Sequence, residues 1–139
     1  MIVLDTDVAS GFMRPVRDTR LADWLDRYPP ESMWLTSLTV FELRFGVESL
    51  PAGRRRDDLD RAINRALVDD FDGRVLPLDT AAAAMAASLA VSRKLRGRPI
   101  EIRDTLIAGI VLSRRAELAT HNIRHFQDLD VPVVDPFST

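Results

Sequence analysis

The chain opens on MIVLDTDVAS, residues 1–10, in which an apolar run stops at two acids, Asp5 and Asp7, with one threonine between them. Residues 2–4 are apolar without alternation and too few for a helix, the pattern of a short strand buried on both faces, as in a parallel sheet. Further strand-like runs lie at 33–36, at 74–78 just before Asp79-Thr80, at 117–120, and as a fifth candidate at 131–134. Between them the apolar spacing turns helical. Leu21, Trp24 and Leu25 mark a helix within 17–28, and Phe41, Leu43, Phe45, Val47 and Leu50 a second from Thr39. Leu59, Ile63, Ala66 and Leu67 form one face of a charged helix over 55–71, followed by an alanine-rich helix at 81–91 and an amphipathic one at 102–115. Pro29-Pro30, Pro51, Gly97 and Pro99 supply the stops. Strands alternating with helices predict an α/β fold, a central parallel sheet of four or five strands with helices on both faces.

A chain of 139 residues, 46% hydrophobic and 29% charged, is long enough to bury a core as one domain spanning 1–139. Trp24 and Trp34 are assigned to that core. The absence of cysteine excludes a disulfide scaffold, a thiolate metal site and a cysteine nucleophile, and fits a reducing compartment. Residues 1–9 lack the pattern of a signal peptide, and no stretch approaches the roughly 20 apolar residues that span a bilayer. A cytosolic location with no membrane partner is expected. The net charge of −2 does not argue against nucleic acid, because a nuclease can hold its positive groups locally around an acidic centre.

In a sheet of this kind ligands gather at the carboxyl ends of the strands. Asp5 and Asp7 follow the first strand, Glu42 follows the second, Asp104 opens the late helix, and Thr120-His121-Asn122 follows the fourth strand. Each has an ordinary structural reading. Asp5 serves as an Asx turn, Glu42 completes a capping box with Thr39, and Asp104 meets a helix dipole. What favours a joint function is that the topology brings all of them to one edge. Were the backbone extended through Thr6, Asp5 and Asp7 would also point the same way and repel unless a cation lay between them. His121 and His125, four apart with no accompanying glutamate, read as surface or supporting residues, and Arg54-Arg55-Arg56 as a solvated helix entrance, with phosphate binding the alternative.

LDTDVAS, SLTVFELRFGV with Glu42, RDTLIAG with Asp104, LATHNIRHF and the closing VPVVDP resemble, in order and spacing, the PIN-domain nucleases, and most of all their VapC and FitB type toxins. The resemblance covers essentially the whole chain. It implies a three-layer α/β/α PIN-like fold, a homodimer, and a magnesium- or manganese-dependent endoribonuclease. It further implies a VapB- or FitA-like antitoxin partner that blocks the site, and operator DNA bound only through that antitoxin. By resemblance Asp5, Glu42 and Asp104 match the catalytic, metal-holding acids, and Thr6 and Thr120 the hydroxyls beside them. Where many relatives carry an acid after the fourth-strand threonine, this chain has Asn122, and where many carry asparagine it has Asp7. Asn122 still offers a carbonyl oxygen to a hard cation, and Asp7 is expected to supply the missing charge. Arg44, Arg103 and Arg124, each close in sequence to one of these residues, are candidate RNA contacts, with salt bridges to nearby acids as their competing role.

Two rivals remain. Asp5-Thr6-Asp7-Val8 is also similar to the opening motif of haloacid-dehalogenase-like phosphohydrolases, but the single lysine, Lys94, comes after the Asp69-Asp70 pair, and that pair falls in a surface helix. The other is a catalytically weak PIN-fold protein acting mainly within a DNA-bound antitoxin repressor complex, suggested by Asn122.

Overall fold

The computed structural model describes residues 1–99 and 101–138. Five strands form one parallel sheet: β1 (Ile2–Leu4), β2 (Met33–Thr36), β3 (Val75–Leu76), β4 (Glu117–Ala119) and β5 (Val133–Val134), in the spatial order β3-β2-β1-β4-β5. The sheet has the expected parallel form, with its third and fifth strands cut to two residues each. Connections leave β1 toward β2 on one side, and a late return places β4 on the other. The crevice between β1 and β4 is therefore the point where the strand order reverses, the usual place for a ligand in such a sheet.

Strand alternation sorts the core into two layers. Ile2, Leu4, Met33 and Leu35 face α1 (Thr6–Phe12), α2 (Thr19–Leu25) and the end of α4 (Arg54–Arg65), where Val8, Leu21, Trp24 and Phe71 are buried with them. Val3, Leu76 and Leu118 face the opposite way, onto α5 (Thr80–Leu95) and α6 (Ile102–Arg114) through Ala82, Ile107, Ala108, Ile110 and Val111, with Trp34 at the margin. The result is the three-layer α/β/α arrangement. α5 and α6 approach closely because Gly109 has no side chain: a Cβ there would stand 2.5 Å from the Ala82 carbonyl oxygen and 2.6 Å from the Ala86 Cβ.

Three local expectations are corrected. The chain does not stay extended through Thr6; it turns at once into α1, with Asp5 as its cap, so Asp7 lies in the first turn of a helix. α3 (Ser37–Glu48) begins earlier than Thr39, because Thr36 caps it by accepting from the Thr39 amide at 3.1 Å. Glu42 therefore has no capping duty, and its carboxylate is free to face elsewhere. The long charged helix is α4, which widens into a π-helical turn at Ala66–Asp70 before Phe71. Asp69 and Asp70 lie in that turn, before β3 rather than after a strand. No described helix is long and apolar enough to cross a membrane.

Candidate active site

Hydrogen bonding between β1 and β4 runs to the very end of the strands, where the Asp5 amide donates to the Ala119 carbonyl at 2.9 Å. That contact delivers Asp5 and Thr120 side by side at the switch point. Asp5 is 5% exposed; its Oδ1 accepts from the Thr6 amide at 2.8 Å, and its Oδ2 from the fully buried Thr120 hydroxyl at the same distance. The Thr120 hydroxyl oxygen in turn accepts from the Asn122 amide at 3.0 Å, which folds the segment after β4 back over the strand end.

The other candidates reach this point from separate elements. The Thr6 hydroxyl, one residue into α1, donates to Glu42 Oε1 at 2.8 Å and lies 3.1 Å from the Thr39 hydroxyl, tying α1 to α3. Arg103 approaches the other Glu42 oxygen at 3.6 Å while its guanidinium lies against the exposed rings of Phe41 and Phe45. Asp7 accepts from the Val8 amide at 2.7 Å, the His121 amide at 3.1 Å and, at 3.5 Å, the Asn122 side-chain amide. With its nitrogen turned to Asp7, the Asn122 carbonyl oxygen is left for other company. Asp104, in the first turn of α6, receives the His125 ring nitrogen Nδ1 at 2.6 Å.

Electrostatics single out Asp5. Burial, then the neighbouring charge of Asp7 and more weakly that of Asp104, push its carboxyl from the ordinary 3.8 to about 7, against the opposing pull of the Thr120 and Thr6 hydrogen bonds. Burial also raises Asp7, against hydrogen bonds from the Val8 and His121 amides. Asp5, Thr6, Asp7, Glu42, Asp104 and Asn122 all line one cleft of about 780 Å³, whose farther wall is the apolar side of α3 and α4. The convergence expected of the acids is thus present. Among the described residues no three acids and imidazoles stand close enough to form a ready-built metal cage; each acid is held by a partner of its own, hydroxyl and amide for Asp5, hydroxyl and arginine for Glu42, amides for Asp7 and the His125 imidazole for Asp104. The donor set is otherwise of the right chemistry: carboxylate and amide oxygens, without sulfur, are what a hard divalent cation prefers. Asp5, whose buried carboxylate has no cationic partner among the described residues, is the point where such an ion would relieve most repulsion.

The arginines distribute differently from the sequence expectation. Arg103 stands at Glu42, whereas Arg44 is drawn away to Asp60 at 2.9 Å and to Asn64, bracing α3 against α4 outside the cleft. Arg124 is exposed beside His125 and does not line the cleft; its carbonyl accepts from Arg98 at 3.4 Å. Arg14 and Arg55 line it instead. Closeness in sequence to an acid missed both, because Arg14 follows α1 and Arg55 opens α4; the triple arginine run was the one available signal. The role of His125 as the partner of Asp104 was equally hidden, since 21 residues separate them.

A parallel sheet in the order 3-2-1-4-5, covered by helices on both faces and with acids gathered at its switch point, defines a three-layer α/β/α domain with its candidate site at the strand ends. The chain belongs to the PIN domain family, whose model matches residues 2–132. It is similar to Toxin FitB of Neisseria gonorrhoeae (34% identity over 99% of both chains) and to VapC ribonuclease Y4jK of Sinorhizobium fredii (32% identity over 99% of this chain and 98% of that one). Among solved structures, FitAB bound to an IR36 DNA fragment superposes with a TM-score of 0.89 at 33% identity, covering 100% of this chain and 97% of the other.

Proposed function

We propose that the protein is the toxin of a toxin–antitoxin pair, a single PIN-like domain over residues 1–139 that hydrolyses RNA phosphodiester bonds with magnesium or manganese. The observation that carries this reading is the buried Asp5 carboxyl, raised to about 7 and lining one cleft with Asp7, Glu42, Asp104 and Asn122. The names of the relatives FitB and Y4jK, a toxin and a ribonuclease, point the same way.

Asp5, Glu42 and Asp104 would hold the metal, with the Asn122 carbonyl and Asp7 beside them. The bound ion would supply a nucleophilic water at neutral pH and counter the charge gathering on the phosphate. Thr120 and Thr6 keep Asp5 and Glu42 turned into the cleft. His125 orients Asp104, and Asp7, by engaging the Asn122 amide, aims its carbonyl oxygen inward. Arg103, whose hold on Glu42 is long and half exposed, is a proposed phosphate contact beside the acids; Arg44, paired with Asp60, and the exposed Arg124 could meet RNA only away from the cleft. Phosphate contacts of this kind position a strand without choosing its sequence.

The proposed partners are an antitoxin of the VapB or FitA kind, which would cover the cleft and carry the pair to operator DNA, and a second copy of the chain. FitAB on its DNA fragment is the precedent for the first. The exposed apolar side chains Phe41, Phe45, Val91, Leu95 and Ile102 offer surface for the second. A cytosolic setting, where cellular RNA is at hand, is proposed with this activity.

The test is incubation of purified protein with a pool of cellular RNA. Cutting in magnesium or manganese that stops with chelator and with Asp5→Ala supports the nuclease. The rival reading, suggested by Asn122, is a weak enzyme that acts mainly as the antitoxin's partner on DNA. It predicts no cutting of any RNA in the pool and antitoxin binding undiminished by Asp5→Ala.

A further inference from the structure

Away from the cleft floor, one arginine is buried almost completely. Arg93, near the end of α5, is 3% exposed, and each of its three guanidinium nitrogens has a partner. Nε and Nη2 donate to the two oxygens of Asp128 at 2.9 Å each, Nη2 also to the His125 carbonyl at 2.7 Å, and Nη1 to the Thr105 hydroxyl at 3.2 Å. A planar fork with several fixed donors suits such a junction in a way a lysine cannot reproduce. Arg98 adds a second, more exposed tie to Asp128 at 3.4 Å and to the Arg124 carbonyl.

The targets are informative. Thr105 follows Asp104 directly in the first turn of α6, and the His125 carbonyl belongs to the residue whose ring holds the Asp104 carboxylate. Arg93 therefore grips the backbone or side chain next to each half of the Asp104–His125 pair, from a third element that does not line the cleft. The segment from Asn122 to Asp128 contains little regular structure beyond one 3-10 turn, Ile123–His125, so its position depends on such ties.

We propose that Arg93 is a positioning residue for the acid cleft: through Asp128, Thr105 and the His125 carbonyl it fixes the segment after β4 so that the His125 imidazole holds the Asp104 carboxylate in its cleft-facing orientation. This rests on the nuclease reading for its consequence, though not for its geometry. Partners that orient a metal-holding group from behind change affinity or activity by about 10–100-fold when lost.

The experiment compares two variants, Arg93→Lys, which keeps a charge beside Asp128, and the pair Arg93→Met with Asp128→Leu, which removes both charges together and avoids stranding either. Circular dichroism establishes that each is folded at the working temperature. Two readouts follow at one fixed pH: the imidazole nitrogen resonances of His125 by NMR, with Asp104→Asn as the reference for a broken contact, and manganese affinity by calorimetry. The expected result is that His125 in the folded variants moves toward its position in Asp104→Asn, that manganese affinity falls about tenfold, and that adding His125→Ala costs little more, as for residues acting through one another. An unmoved His125 resonance in the folded variants, or a full additional loss on adding His125→Ala, overturns the proposal and leaves Arg93 as a stabilising residue alone. If the unaltered protein binds no manganese and cuts no RNA, the nuclease reading fails, while the His125 resonance still decides whether Arg93 positions the pair.

Discussion

Asp5 and Asp128 are the same residue type and both turn their carboxylates away from solvent, Asp5 being 5% exposed as a residue and Asp128, half-buried as a residue, 4% exposed at its side chain, yet they meet opposite fates. Asp128 lies in the two-pronged grip of Arg93, which holds its carboxyl below the ordinary range. Asp5 has hydroxyl and amide donors but, among the described residues, no cation, and acids lie near it, so burial and repulsion drive it up to about 7. Burial alone is therefore uninformative about function. The Asp128 carboxylate is neutralised where it lies by Arg93, whereas Asp5, surrounded by like charge, is a candidate for a counter-charge from outside.

Removing each acid's chemistry should separate the two roles. The largest effect expected is on cleavage: Asp5→Ala should lower the rate by roughly 1000-fold or more, as when one member of a catalytic unit is lost, measured against whichever RNA the protein cuts. Stability should respond in the reverse sense. The folded-state pKa of Asp5 lies above its unfolded value, so the native state binds the extra proton and loses stability as pH rises from about 4 through 7. In chelator, Asp5→Asn should thus raise the melting temperature at pH 8 and leave it nearly unchanged at pH 4. A melting temperature that falls equally at both would mean that the Asp5 carboxylate is a structural group like Asp128.

Arg93→Ala should cost about 3–5 kcal/mol, the scale for stranding a buried partner, seen in urea unfolding. Because Asp128 is lowered, that contribution should fade as pH drops through its folded-state pKa. Gly109→Ala should cost about 1–3 kcal/mol through overpacking of α5 on α6, without a change in metal affinity. Asp7→Asn should weaken metal binding by about tenfold, the lower end for a supporting partner; affinity left untouched would end the idea that Asp7 compensates for Asn122. The smallest effect belongs to Arg44→Ala, under about 1 kcal/mol for a half-exposed ion pair and with cleavage unchanged.

The amino-acid sequence by itself pointed to where the strands lie, because apolar runs too short for a helix and bounded by polar or turn residues fit a sheet buried on both faces. It also determined that the acids after β1, in α3 and in α6 converge, since a parallel sheet puts every strand's carboxyl end on one edge. It misjudged the backbone at Thr6 and the cap of α3: Asp5 and Thr36 each offered a side-chain oxygen to the following amides, and local hydrogen bonding of that kind starts a helix earlier than apolar spacing suggests. Only the tertiary structure decided which arginines enter the cleft and which serve the frame. Arg44, two residues from Glu42, turns to α4, Arg14 and Arg55 reach the cleft from other elements, and Arg93 joins α5 to a segment 35 residues away. Long charged side chains choose partners by distance in space, and no spacing along the chain encodes that.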